Sequence, residues 1–160
     1  MYRIGFGFDA HRFSPGRKLI LGGVEIPFRI GLSGHSDADV LTHAVCDALL
    51  GALGEGDIGT HFPDSDPSYK DVSSLTFLRE VMKTLKSEGY EIENLDCTIV
   101  CESPRITPHV PAIKDSLAQI TGLSGKALSV KATTTDRMGF TGRGEGIASY
   151  AVALIKPAAA

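Results

Sequence analysis

The alternation of apolar and polar residues predicts a β-strand at the start of the chain and a hairpin after it. Residues 2–8 place Tyr, Ile, Phe and Phe at every second position, which is the period of a strand. The segment ends in Asp9-Ala10-His11, where the same alternation directs Asp9 and His11 to one side. Two short apolar segments, 19–21 and 24–26, flank a Gly-Gly pair and predict a hairpin.

Helical spacing of apolar residues marks three further segments. The first helix begins at Ser36 or Asp37 and runs to about Leu53, and a long loop rich in Gly, Pro and Asp, residues 55–70, follows it. The other predicted elements are helices over 73–89 and from 108 or 111 to 121, and strands over 95–101, 128–132 and 147–155. Because strands and helices are mixed without strict alternation, we expect an α+β fold, an α/β sandwich with one mixed β-sheet and helices packed on one face.

Length and composition favour one domain in a reducing compartment. The 160 residues predict a single catalytic domain over 1–157, with a short tail over 158–160. A net charge of −3 gives no basic surface that would favour nucleic acid, and no apolar run approaches the length of a membrane span. Three cysteines without a Cys-x-x-Cys pair argue against a disulfide framework. We therefore expect a cytoplasmic protein, either bacterial or of a plastid-type pathway with any transit peptide absent from this sequence.

The first candidate constellation is a metal site. Asp9, His11 and His43 offer one carboxylate and two imidazoles, which suit Zn²⁺, or alternatively Fe²⁺ or Mn²⁺. Three protein ligands leave a fourth position open, as in catalytic zinc sites. Asp39 and Asp47 lie four residues before and after His43, so either aspartate could accept a hydrogen bond from its second ring nitrogen.

The second constellation is Thr133-Thr134-Thr135-Asp136, directly after a predicted strand. Hydroxyls and backbone amides in such a turn can hold phosphate oxygens, and the aspartate could hold Mg²⁺. The sequence lacks a P-loop, a complete dinucleotide-binding glycine motif and a Gly-x-Ser-x-Gly nucleophile motif. The two constellations together indicate a metal-dependent enzyme that acts on a phosphorylated substrate.

Five motifs carry a resemblance to a known family. They are residues 5–11 (GFGFDAH), 19–24 (LILGGV), 33–43 (SGHSDADVLTH), 57–64 (DIGTHFPD), and 133–136 (TTTD) with 139–148 (GFTGRGEGIA). In order and spacing the sequence closely resembles the 2-C-methyl-D-erythritol 2,4-cyclodiphosphate synthases, enzymes of the non-mevalonate pathway of isoprenoid biosynthesis. The match covers essentially the whole chain.

The resemblance implies a homotrimer with active sites between subunits. It implies zinc or another divalent ion on Asp9, His11 and His43, and Mg²⁺ or Mn²⁺ bridging the substrate phosphates, with Asp136 on this second ion. The implied substrate is 4-diphosphocytidyl-2-C-methyl-D-erythritol 2-phosphate. Its 2-phosphate attacks the β-phosphorus, which gives the cyclic diphosphate and CMP. Many family members have Glu in place of Asp136, so the shorter side chain would reach the ion less directly, or through water.

The resemblance also implies roles for individual residues. His35 and Thr134 would donate hydrogen bonds to phosphoryl oxygens in the transition state, and Phe140 and Arg143 could contact the substrate or line the trimer axis. The remaining implied substrate-binding residues are Asp9, His11, Ser36, Asp57, Ile58, Gly59, Phe62, Pro63, Asp64, Ser65, Asp66, Cys101, Glu102, Ser103, Pro104, Arg105, Ile106, Thr107, Thr133, Thr135 and Asp136.

Two other functions remain open from the residues alone. A zinc-dependent phosphoester hydrolase would need a general base beside the metal, for which Asp39 or Glu145 could serve. A non-catalytic trimer or ligand-binding module stabilised by a metal would have a closed site with four ligands, and the sequence offers three.

Overall fold

A five-stranded mixed β-sheet forms the framework of the protein in a computed structural model that describes residues 1–159. Its strands follow the order β4-β1-β7-β5-β6, in which β5 and β6 are parallel and the other neighbours are antiparallel. Strands β2 and β3 form a separate hairpin. The strands are β1 (Arg3–Ser14), β2 (Leu19–Leu21), β3 (Val24–Ile26), β4 (Gly31–Leu32), β5 (Tyr90–Val100), β6 (Leu128–Thr133) and β7 (Gly146–Pro157). The predicted α+β class is confirmed.

The helices are α1 (Val40–Leu53), α2 (Ile58–His61), α3 (Ser74–Ser87), α4 (Val110–Thr121) and α5 (Gly139–Gly142). The helix α1 contacts β1 and β7, and α3 packs beside it. Leu41, Leu49, Leu78 and Ile113 are fully buried and belong to one hydrophobic core. The three predicted helices are therefore confirmed, whereas α2 and α5 lie in segments that were predicted as loops.

Strand β1 and helix α1 approach each other closely because the strand presents glycines to the helix. A Cβ atom on Gly5 would lie 1.8 Å from the carbonyl oxygen of Ala48, and one on Gly7 would lie 1.9 Å from that of Ala44. Both distances are far below van der Waals contact. The helix backbone can therefore lie against the strand only where these side chains are absent.

The opposite face of the sheet is apolar and exposed. Phe6 and Phe8 of β1 are 61% and 45% exposed, and their rings lie 6.2 and 5.0 Å from that of Tyr150 on β7. Ile4 and Val152 extend the same surface and are 71% and 37% exposed. Contiguous apolar surfaces of this kind commonly mark interaction sites.

Some predicted boundaries are wrong for identifiable reasons. The N-cap of α1 is Asp39, not Ser36 or Asp37, because the Asp39 side chain accepts a hydrogen bond from the backbone N–H of Thr42. Strand β1 continues past His11 to Ser14, since its last residues pair with β4. Strand β5 begins five residues before Leu95, where acidic side chains obscure the strand pattern. Glu91 and Glu93 there form ion pairs with Lys156 of β7.

Among the described residues 1–159, no helix is long and apolar enough to cross a membrane.

We expect Gly7→Ala to disrupt the contact between β1 and α1 and to lower the free energy of unfolding by more than about 2 kcal/mol, because the added methyl meets backbone atoms that cannot rotate away. The matched control is Gly51→Ala. A Cβ on Gly51 would meet only the carbonyl oxygen of Phe6 at 3.9 Å. This control should stabilise the helix by up to about 1 kcal/mol.

Thermal and denaturant unfolding at equal protein concentration would measure both effects. An unfolding midpoint for Gly7→Ala equal to that of the wild-type protein would contradict the packing described here.

Candidate active site

Strand β1 and helix α1 bring one carboxylate and two imidazoles to a single point. Asp9 Oδ2 lies 2.8 Å from His11 Nε2 and 3.0 Å from His43 Nδ1. The two ring nitrogens lie 3.2 Å apart. The predicted convergence of Asp9, His11 and His43 is thus present, and it is the one group of three or more potential metal ligands found within residues 1–159.

The dimensions of this triangle suit a small divalent ion. Bonds of about 2.0–2.1 Å in tetrahedral geometry place neighbouring ligand atoms roughly 3.3 Å apart, close to the observed separations. Two nitrogens and one oxygen are a common ligand set for catalytic zinc. Burial alone would raise the pKa of Asp9, but the contacts of its carboxylate with the His11 and His43 imidazoles outweigh that effect and hold the pKa well below its usual value. Asp9 therefore stays ionised and attracts a cation.

The second nitrogen of each imidazole has its own partner. His11 Nδ1 donates to the backbone oxygen of Ser33 at 2.7 Å, which leaves Nε2 directed at Asp9. His43 Nε2 lies 2.8 Å from Ser74 Oγ and 3.1 Å from Ser36 Oγ. Such outer contacts orient metal-binding histidines. Ser74 was not among the predicted site residues.

The two aspartates considered as partners of His43 have other roles. Asp39 is fully buried, and its carboxylate accepts hydrogen bonds from the backbone N–H groups of Gly22 and Gly23 in the hairpin turn. Asp47 accepts a hydrogen bond from the backbone N–H of Ile58 at 2.8 Å. The prediction that either one pairs with His43 is therefore wrong, since hydroxyl groups occupy that position.

A cavity of about 190 Å³ opens beside the three ligands. Its lining combines the ligands with many of the predicted substrate-binding residues: Asp9, His11, Gly34, His35, Ser36, His43, Asp47, Ile58, Gly59, Phe62, Asp64, Tyr69 and Phe77. His35 Nε2 donates to the backbone oxygen of Asp66 at 2.9 Å. The Arg17 guanidinium donates to the backbone oxygens of Gly34 and Ser36, so the segment carrying His35 is held from both sides.

The loop after α1 forms one wall of this cavity. Asp57 caps α2 by accepting from the backbone N–H of Thr60, and Asp66 caps the following 3₁₀ turn, Pro67–Tyr69. Phe62 stacks on Phe77 of α3 with a ring separation of 4.7 Å. Pro63 and Ser65 lie in the same segment. These contacts give the loop a defined conformation beside the ligands.

The remaining predicted residues form a second group elsewhere in the chain. Segment 101–107 meets segment 133–137, because Cys101 N donates to the backbone oxygen of Thr133 and Arg137 N donates to Glu102 Oε1. The first segment contains Glu102, Ser103, Pro104, Arg105, Ile106 and Thr107, and the second contains Thr134, Thr135 and Asp136. The Ser103–Pro104 peptide bond is cis.

Two strands, β7 and β5, lie between the metal ligands on β1 and the threonine segment after β6. The strand registers place Ala10, Ala148, Val100 and Thr133 in one row across the sheet. Three interstrand spacings separate the ends of that row by about 14 Å. Within one chain, the threonine segment therefore does not join the metal ligands.

Phe140 and Arg143 belong to neither of these two groups. They lie in and directly after α5, near Glu145, with which Arg143 forms an ion pair at 2.6 Å. Phe140 and Glu145 line a cavity of about 650 Å³ with Ala10, His11, Arg12, Phe13 and Gly144. His61 also lies apart from the ligands, and its Nε2 donates to the backbone oxygen of Glu55.

Comparison with known proteins identifies the family of this chain. Residues 2–156 match the YgbB family. The chain belongs to the YgbB family. Similar curated proteins carry the name 2-C-methyl-D-erythritol 2,4-cyclodiphosphate synthase. The one from Syntrophotalea carbinolica is 55% identical over 159 residues, which cover 99% of this chain and 97% of that protein. The one from Symbiobacterium thermophilum is 57% identical over 152 residues, which cover 95% of this chain and 97% of that protein.

Solved structures of YgbB-like proteins share the fold. Bifunctional IspDF from Campylobacter jejuni superposes with a TM-score of 0.94 and 38% identity, covering 98% of this chain and 42% of that longer chain. A 2C-methyl-D-erythritol-2,4-cyclodiphosphate synthase in its CDP-bound form gives a TM-score of 0.88 at 36% identity, covering 96% and 100%. The CDP complex of IspF from Plasmodium falciparum gives 0.86 at 31%, covering 99% and 97%.

We expect the wild-type protein to bind one zinc ion per chain at the three-ligand site. In His43→Ala the affinity should fall by more than 100-fold, because only two ligands remain. His61→Ala is the matched control, since His61 is a histidine of the adjacent loop that takes no part in the triangle. Elemental analysis after dialysis against a weak chelator measures the bound metal, and full retention of zinc in His43→Ala would refute the assignment.

Proposed function

We propose that this chain converts 4-diphosphocytidyl-2-C-methyl-D-erythritol 2-phosphate into 2-C-methyl-D-erythritol 2,4-cyclodiphosphate and CMP, a phosphorus–oxygen lyase reaction of isoprenoid biosynthesis. An oxygen of the 2-phosphate forms a bond to the β-phosphorus. The bond from that phosphorus to the bridging oxygen breaks, and CMP leaves with the electron pair. No proton has to be removed from the nucleophile, because a phosphate oxygen is already anionic.

The observation that carries this proposal is the triangle of Asp9, His11 and His43 in a chain whose curated YgbB-family relatives bear the name of this enzyme. The CDP-bound state of similar solved structures supports a cytidine nucleotide as ligand. A second divalent ion, Mg²⁺ or Mn²⁺, would be held by the substrate phosphates and by Asp136, directly or through water.

The residues around the cavity would align the phosphates and stabilise their charge in this reaction. The substrate brings several negative phosphates together, so alignment and charge stabilisation supply most of the rate. A zinc ion on the three ligands would act as a Lewis acid toward a phosphate oxygen. The His35 imidazole and the Thr134 hydroxyl would donate hydrogen bonds to phosphoryl oxygens in the transition state. Ser36, the 57–59 segment and the 62–66 segment would surround the methylerythritol part.

The cytosine would bind elsewhere in the chain, in the segment 101–107 beside Thr133, Thr135 and Asp136. Backbone N–H and C=O groups in such a segment can match the hydrogen-bond pattern of one base. The distance of about 14 Å between Thr133 and the Asp9 end of the same sheet row means that one chain alone does not surround the diphosphate. A neighbouring subunit would supply the second group.

A homotrimer joined through the exposed sheet face would bring the threonine segment of one subunit to the metal ligands of its neighbour. Phe6, Phe8, Tyr150 and Val152 give that face the apolar character of an obligate interface. Phe140 and Arg143, near the end of the same sheet, would then line the trimer axis or reach the substrate of a neighbouring subunit.

Neither of the two carboxylates considered as the general base of a hydrolase lies in position to serve in this structure. Asp39 is buried and holds the hairpin turn and the start of α1. Glu145 forms an ion pair with Arg143. Neither carboxylate lines the cavity beside the ligands.

Incubation with the cytidylated substrate, Zn²⁺ and Mg²⁺, followed by phosphorus NMR, tests the reaction. We expect equal amounts of CMP and the cyclic diphosphate, and a rate at least about 100-fold lower for Thr134→Ala, which removes one transition-state hydrogen bond. Ser129→Ala, which removes a hydroxyl near the start of β6, the strand that leads into Thr134, is the control. Release of inorganic phosphate would favour the hydrolase, and an unchanged substrate would contradict catalysis.

The oligomer is tested separately. Light scattering of the wild-type protein should give three times the chain mass of 17.0 kDa. Phe6→Asp should dissociate the trimer, because it places a charge in the centre of the apolar face, whereas Gln119→Asp on the exposed surface of α4 should not. Circular dichroism would confirm that both variants fold. A wild-type monomer that is fully active would contradict the shared site.

A further inference from the structure

One buried hydroxyl connects a carboxylate with a metal-binding histidine. Ser74 is the first residue of α3 and is completely buried. Its Oγ donates to Asp37 Oδ1, its backbone N–H donates to Asp37 Oδ2 at 3.1 Å, and its Oγ lies 2.8 Å from His43 Nε2. Asp37 Oδ1 also accepts from the backbone N–H of Asp39. The aspartate is thus held by three donors, and the serine is held by the aspartate.

The number of hydrogens shared by Asp37, Ser74 and His43 fixes the direction of their hydrogen bonds. A carboxylate has no hydrogen to give, so the single hydroxyl hydrogen of Ser74 lies between Ser74 and Asp37. Ser74 Oγ can then only accept in its contact with His43. The hydrogen between them therefore belongs to His43 Nε2, and a neutral His43 carries none on Nδ1. The free electron pair of Nδ1 is directed at the position between Asp9 and His11.

We propose that Ser74, held by Asp37, is a positioning residue that selects the His43 tautomer with Nδ1 free for the metal and fixes the orientation of the ring. This inference rests on the zinc site of the proposed function and extends it to two residues outside the ligand set. Because Ser74 donates its hydroxyl hydrogen to Asp37, its oxygen can only accept from His43. The His43 hydrogen is therefore held on Nε2. Partners of this kind commonly change metal affinity by 10- to 100-fold, which is roughly the effect expected here.

Ser36 offers the competing arrangement. Its hydroxyl lies 3.1 Å from His43 Nε2 and could donate to it, which would place the hydrogen on Nδ1 instead. The contact with Ser74 is shorter, and its direction is set by a charged group. The hydroxyl hydrogen of Ser36 also has another acceptor, because Ser74 Oγ lies 3.3 Å from Ser36 Oγ. The Ser74 arrangement is therefore the stronger of the two.

Two readouts on the zinc-loaded protein test the proposal. In the wild-type protein labelled with ¹⁵N-histidine, NMR should show a hydrogen on His43 Nε2 that exchanges slowly with water. Competition with a chromophoric chelator gives the zinc affinity. In Ser74→Ala we expect faster exchange of that hydrogen and a 10- to 100-fold weaker affinity. Ser74→Thr keeps the hydroxyl and should restore both properties at least in part.

Ser73→Ala is the matched control, because Ser73 precedes Ser74, is exposed and makes no side-chain capping hydrogen bond to the helix. It should match the wild-type protein in both measurements. Asp37→Asn provides a second test if Ser74→Ala does not fold. An amide has one acceptor oxygen where three donors require acceptors, so this variant should also weaken zinc binding.

The outcomes separate this proposal from the enzymatic one. Wild-type zinc affinity and slow exchange in Ser74→Ala would overturn the positioning role, whatever the enzyme does with its substrate. Weaker zinc binding with faster exchange would support the role even if the protein had no cyclase activity. A hydrogen found on Nδ1 of neutral, metal-free His43 would also overturn the assignment.

Discussion

The close contact between the first strand and the first long helix is the constraint on which the rest of the structure depends. Gly5 faces Ala48 and Gly7 faces Ala44, so each step of two residues along the strand matches one turn of the helix. Continuing the same face of the strand brings Asp9 and His11 toward the start of the helix, where His43 lies. The metal ligands converge because the glycines at positions 5 and 7 let β1 lie directly against α1 next to the site.

The same contact explains the other face of the sheet. Since glycines occupy the helix side of β1, its aromatic residues fall on the opposite side, where no element within residues 1–159 covers them. The chemistry is divided in a similar way. The metal ligands lie at the β1 side of a sheet row and the threonine segment at its β6 side. The apolar face follows from the glycines of β1, and the separation of the two residue groups follows from the strand order.

Much of this arrangement could be predicted from local patterns. The period of two in β1, the Gly-Gly hairpin turn and three amphipathic helices all follow from sequence spacing, because local geometry decides them. Asp9 and His11 could be paired for the same reason. Residue type also placed His43 in the same candidate site, and the resemblance to a family supported that grouping, although no local pattern indicates that a helix residue meets a strand end.

The errors also have physical causes. Asp39 has the right spacing to pair with His43, but backbone N–H groups of the hairpin turn, distant in sequence, compete for its carboxylate and bind it. Ser74 could not be found, because a serine at the start of a helix is common and its importance comes from Asp37 and His43. The polar start of β5 was missed because ion pairs with Lys156 replace the apolar alternation. In each case a tertiary contact overrides a local signal.

X-ray absorption at the zinc edge of the metal-loaded protein would identify the atoms that bind the ion. If Asp9, His11 and His43 hold the zinc, we expect nitrogen and oxygen ligands at about 2.0–2.1 Å, outer scattering from two imidazoles, and no sulfur. Sulfur at about 2.3 Å, or scattering from fewer than two imidazoles, would show that the ion binds elsewhere and would refute this metal site.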